Sequence, residues 1–99
     1  MAGEVSGSVV WSLTGSPVPG TELEVVQTET GAVQTIRTFS DGQFYLFGLR
    51  PGSYELRVSE ESRRRLQVLA EVVQFEIGLT ESTRAVEGIE LRVGIRPND

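Results

Sequence analysis

The residue types that most often do chemistry are either missing from this chain or badly placed for it. Its 99 residues include no histidine and no cysteine, and all nine basic residues are arginine. Triads of the Ser-His-Asp or Cys-His kind need an imidazole to carry the proton, so neither can be assembled. Zinc sites draw on the same two absent types, and without cysteine there is no disulfide or thiolate ligand. Carboxylates remain: Glu22 with Glu24, Glu60 with Glu61, and Glu90. Acid–base work would require a raised pKa, which comes from burial or a close like charge. Each of these glutamates falls on the polar side of an expected strand or in a connection, where a solvated side chain is the ordinary outcome. Calcium would ask for an aspartate-rich loop, yet only Asp41 and Asp99 occur, and Asp41 belongs to a turn. The sequence therefore predicts no enzyme, no metal and no cofactor.

Charge points the same way. Nine basic against fourteen acidic residues leave a net charge of −5. Phosphate backbones and anionic membranes would repel such a chain, so nucleic acid is not an expected partner. The one basic cluster, Arg63-Arg64-Arg65, lies between Glu60-Glu61 and Glu71. It reads as a solvated connection, with an anion-docking patch as the alternative. No apolar run approaches the roughly 18 residues that would cross a membrane, so membrane insertion is not expected. Met1-Ala2-Gly3-Glu4 lacks the basic and apolar regions of a signal peptide. The expectation is one domain spanning 1–99, with its core at about 5–96, cut from a longer chain.

The elements that must position these side chains are strands. In 38–58, TFSDGQFYLFGLRPGSYELRV, Asp41-Gly42 supplies a tight turn and Phe44, Leu46 and Leu49 mark one strand. Arg50-Pro51-Gly52 is a second turn, and Tyr54, Leu56 and Val58 alternate on the next strand at period two. Upstream, Val5 to Leu13 reads as a strand with Val5, Gly7, Val9, Trp11 and Leu13 on one face. A Gly- and Pro-rich loop follows over 14–20, then strands at Thr21–Thr28 and Ala32–Phe39 around a turn ending at Gly31. Ser59 can cap a short helical turn over 59–66, with Glu60 and Glu61 at its positive end. Strands at Val72–Ile77 and Ile89–Ile95 complete about seven, and Pro97–Asp99 reads as a frayed end. Short strands separated by turns at such intervals indicate an all-β, Ig-like or transthyretin-like sandwich of antiparallel strands with Greek-key connections.

The 38–58 stretch, with Gly7-Ser8-Val9 and Pro17-Val18-Pro19-Gly20 before it, resembles the carboxypeptidase regulatory-like domain, a family related to the Cna B-type repeats of bacterial surface proteins. The resemblance covers roughly residues 5 to 93. Histidine-dependent activities of related folds, hydroxyisourate hydrolysis and intradiol dioxygenation, cannot be carried over to a chain without histidine. Cna B-type domains often carry an isopeptide cross-link from lysine, and this chain has no lysine, so its stability must come from packing. The resemblance implies an accessory, spacer or interaction module of an exported or cell-surface bacterial protein. Its partners would be neighbouring domains, another protein or, weakly, a second copy.

The departures from the family pattern define the expected interaction face. That pattern has polar residues at the positions of Trp11, Phe39, Tyr45 and Phe47, four of the seven aromatics. Three readings stand. Trp11 caps the sandwich end while Tyr45 and Phe47 cover a loop; or the aromatics dock a protein domain or second copy; or they stack on sugar rings, as in starch-binding domains of this general fold.

Overall fold

Alternation of apolar and polar residues, with turn residues at the breaks, folds the chain into two packed sheets in a computed structural model that describes residues 3–95. The elements run β1 (Gly3–Trp11), β2 (Glu22–Gln27), β3 (Val33–Arg37), β4 (Gln43–Leu49), β5 (Gly52–Val58), α1 (Glu60–Leu66), β6 (Val68–Ala70), β7 (Val73–Ile77), α2 (Glu81–Arg84) and β8 (Ala85–Ile95). One sheet has the order β4-β1-β8-β6 and the other β3-β2-β5-β7. Among the described residues eight strands thus build the sandwich where about seven were expected; the added one is β6, three residues long. The frayed end expected at Pro97–Asp99 lies outside the described residues.

Pairing is antiparallel except between β1 and β8, which run parallel from Glu4↔Ala85 to Trp11↔Val93. This one pair sets the polarity of the molecule. The lower pole holds the start of β1, the Arg50–Gly52 turn and α2; the upper pole holds Trp11, the 12–20 loop, the 38–42 turn and α1. The backbone passes Gly3 at the lower pole and reaches Ile95 at the upper one. Sheets about 10 Å apart, each of four strands spaced about 4.8 Å, account for the shorter dimensions of a 45 × 26 × 18 Å body.

The core lies between the sheets. Val5 and Val9 of β1, Leu23 and Val25 of β2, Phe44 and Leu49 of β4, Leu56 and Val58 of β5, Ile77 of β7 and Leu91 and Val93 of β8 are all buried. Full burial of each such side chain stabilises by about 1.5–3 kcal/mol. Tyr54 and Phe75 stack with centroids 5.3 Å apart. Phe44 and Leu49 are an odd number of residues apart yet both point inward. A bulge reconciles them: Gly48 has φ +92°, and two steps of β4 from Phe47 to Leu49 oppose one step of β1 from Glu4 to Gly3.

The first strand ends earlier than expected. Alternation puts Leu13 on the inward face with Val9 and Trp11, but the strand stops at Trp11 and Leu13 is 86% exposed. The chain turns there because Gly15 N–H donates to the Trp11 carbonyl (2.8 Å), and the returning loop pairs Pro17 with Val10 and buries Val18. The helix over 59–66 forms as read. Ser59 Oγ accepts the Ser62 N–H (3.2 Å), the three arginines fill the last turn, and Gln67 closes it in the left-handed conformation. Helix α1 is tied to β2 because Ser62 Oγ accepts the Glu22 N–H (3.1 Å).

Candidate interaction surfaces

The four aromatics do not share one surface. Tyr45 and Phe47, 49% and 63% exposed, stand two residues apart on the outer face of β4. Tyr45 is fixed by donating its hydroxyl to Glu4 Oε2 (2.6 Å), and that bond to a carboxylate raises its pKa above the ordinary 10.0. Beside Tyr45, the cross-strand partner of Ser6, a shallow trough of about 300 Å³ is lined by Ser6 and Ser8 of β1, Gln43 of β4 and Glu90 of β8. Phe39 sits on the turn at the upper pole, where its N–H donates to the Gln43 carbonyl and its carbonyl accepts from Gly42. Trp11 follows the parity of Val5 and Val9 and packs, partly buried, against the core. It belongs to the inner side of the sheet whose outer side carries Tyr45 and Phe47.

Each pole carries an apolar feature that sequence reading passed over. At the upper pole Trp11, Leu13, Val93 and Gly94 surround a notch of about 230 Å³ rimmed by Ser12 and Thr14. At the lower pole Leu79, between Ile77 and the cap residue Thr80 of α2, is 86% exposed. Leu13 and Leu79 are the most exposed large apolar side chains among the described residues. The signal was present: Leu13 runs straight into Thr14-Gly15-Ser16-Pro17, and Leu79 lies between Gly78 and Thr80, outside any alternating run.

The carboxylates that could have worked in pairs are mostly turned to arginines instead. Glu22 meets Arg37 (3.7 Å), Glu24 meets Arg57 (2.9 Å), Glu60 meets Arg64 (2.7 Å) and Glu90 meets Arg92 (3.0 Å). These are surface pairs worth about 0–1 kcal/mol each. Asp41 Oδ1 accepts the Gln43 N–H (3.0 Å) and so serves its turn. Within the arginine cluster, Arg65 reaches the Gly20 carbonyl (3.4 Å), and the Arg63 Nε is buried without a partner. Tyr54 donates to the Arg50 carbonyl (2.6 Å), yet burial still raises its pKa. It forms the floor of a cleft of about 360 Å³ between β3 and the β4–β5 turn, with Gln27, Gln34 and Arg50 at its walls. No cluster of metal-ligating side chains occurs among the described residues. No helix among them is long and apolar enough to cross a membrane.

Two four-stranded sheets, a capping helix and a parallel pairing of first and last strands define a transthyretin-like, Cna B-type sandwich domain. The carboxypeptidase regulatory-like domain family matches residues 4–84, and the chain belongs to that family. In structure it is similar to the major pilin SpaD of Corynebacterium diphtheriae (TM-score 0.74, 10% identity, 96% of this chain and 30% of that one). It is also similar to the Bacillus cereus major pilin subunit BcpA (0.72, 13% identity, 97% and 31%). The backbone protein of group B streptococcus pilus 2b aligns over 93% of this chain and 41% of its own (0.65, 18% identity). The chain thus spans less than half the length of each of these proteins. No curated protein matches it in sequence.

Proposed function

We propose that this domain is a non-catalytic spacer and docking module of a larger protein displayed at a bacterial surface. The observation that carries the reading is the parallel β1·β8 pair, which passes the chain through the body from one pole to the other. A module so built holds its flanking segments apart by its own length. Its similarity to domains of pilins, each several times longer than this chain along the sequence, supports such a setting. Partners are then the neighbouring domains, meeting it at the poles or on the Tyr45–Phe47 face. The test is small-angle scattering on two modules joined from Ile95 to Gly3 by a short linker. A maximum dimension near twice the 45 Å of one body is expected; a side-by-side particle hardly longer than one body would refute the spacer reading.

A second reading, carbohydrate binding, is favoured by one observation: the trough of Ser6, Ser8, Gln43 and Glu90 lies next to Tyr45, the cross-strand partner of Ser6. Rings beside free hydroxyls can stack on and hydrogen-bond a sugar. Trp11 cannot join them, because it packs on the inner side of the sheet. Titration of soluble glycans against tyrosine fluorescence tests it, and no change for wild type would remove it.

A further inference from the structure

We infer that this module associates head to tail with a second copy, Leu79 of one seating in the Trp11–Leu13 notch of the next. The inference deepens the reading of a docking spacer and names the partner at the poles. A side chain 86% exposed at one pole is a knob without a hole in its own molecule. The opposite pole carries the hole: a notch of about 230 Å³ walled by Trp11, Leu13 and Val93, enough to take a leucine. Its rim is Ser12 and Thr14, and beside the knob stand Gly78 and Thr80, so no like charges meet at the centre of the contact. An apolar centre with a polar rim is the usual anatomy of an interface.

Knob and hole lie at different ends of one body, so the contact is heterologous. It leaves a free hole on one copy and a free knob on the other, and it propagates in a line unless the rotation closes a ring. Size sets the strength. A pole of 26 × 18 Å has a cross-section of roughly 370 Å², so two facing poles bury about 700 Å² in total, below the roughly 1,000 Å² of a stable interface. Free modules therefore associate weakly, while tethering in one chain, at an effective concentration in the millimolar range, fills the contact.

The experiment is sedimentation and light scattering of the 99-residue chain from about 0.02 to 1 mM, a range that brackets a weak dissociation constant. Wild type should gain average mass with concentration and pass the dimer without a plateau. Leu13→Glu and Leu79→Glu should each stay monomeric at every concentration. Mixed in equal amounts they should regain association and stop at the dimer, because one retains the knob and the other the hole. Both sites are exposed, so unchanged circular dichroism and denaturation midpoints will show that the variants fold. A monomeric wild type, a plateau at the dimer, or a mixture that stays monomeric would each overturn the inference. Should it fall while the joined modules still measure about twice one body, the spacer reading stands without it.

Discussion

Replacing Gly7 by alanine tests the pairing on which the polarity of the molecule rests. Gly7 has an ordinary strand conformation, so the backbone raises no objection, and alanine in place of glycine inside a strand would by itself stabilise by roughly 0.5–1 kcal/mol. The surroundings object instead. A Cβ at Gly7 would overlap the Ile89 carbonyl oxygen and lie 2.8 Å from the Ile89 carbonyl carbon and 2.9 Å from Phe44 Cζ. Carbon atoms pack at about 3.5–4.0 Å, so β8 must retreat by roughly 1 Å next to the Gly7↔Ile89 pair. That lengthens the flanking ladder hydrogen bonds past usefulness, at about 1 kcal/mol each, and adds about 1–3 kcal/mol for overpacking. With two bonds affected, and the gain of roughly 0.5–1 kcal/mol deducted, the net cost is about 2–4.5 kcal/mol, a large share of the 5–15 kcal/mol typical of a domain. Urea denaturation followed by Trp11 fluorescence measures it. Gly15→Ala is the comparison: its φ is +74° but nothing lies within 4 Å of a new Cβ, so it carries only the left-handed strain of about 1–2 kcal/mol. If Gly7→Ala were neutral or stabilising, the Ile89 backbone would not face Gly7 and the β1·β8 register would be wrong.

Three further outcomes are expected. Gln67 closes α1 at φ 55°, ψ 49°, so Gln67→Gly should raise stability by about 0.5–1 kcal/mol, read as a higher denaturation midpoint at unchanged slope. Thr38→Val keeps the shape but removes the hydroxyl that accepts the buried Thr21 N–H (2.8 Å) and donates to the Val18 carbonyl (2.9 Å); a loss of about 1–3 kcal/mol is expected in the same assay. Both tyrosines titrate above 10.0 in the folded chain, so their contribution to stability is complete below pH 10 and is lost as pH rises through the folded values. Absorbance titration near 295 nm should show Glu4→Gln bringing one tyrosine back toward 10 while Tyr54 stays raised.

What could be read from the sequence was local. Period-two alternation placed Leu23 and Val25, then Tyr54, Leu56 and Val58, on the inward faces they occupy, and Asp41-Gly42 and Ser59 do the turn and cap work their types suggest. For Trp11, alternation with Val5 and Val9 gave the inward side that the structure has, whereas the family pattern pointed outward. What escaped was made by distant neighbours. Val68–Ala70 is a strand because Val93–Ile95 of β8 lies beside it, not because three residues announce one. The departure of Leu13 from the sheet depends on a loop that folds back on Val10, and the poles exist only once β1 and β8 are known to run parallel.

That parallel pair also decides how the molecule bears a load. Tension applied between Gly3 and Ile95 pulls β1 and β8 in opposite directions along their length, so it crosses their hydrogen bonds broadside. The bonds from Glu4↔Ala85 to Trp11↔Val93 then resist together, and none can open before its neighbours. Had the two strands been antiparallel partners, with their outer ends side by side, the same pull would peel the bonds apart one at a time at far lower force. A chain without lysine, and so without a lysine cross-link, still has a mechanical clamp along the line from Gly3 to Ile95.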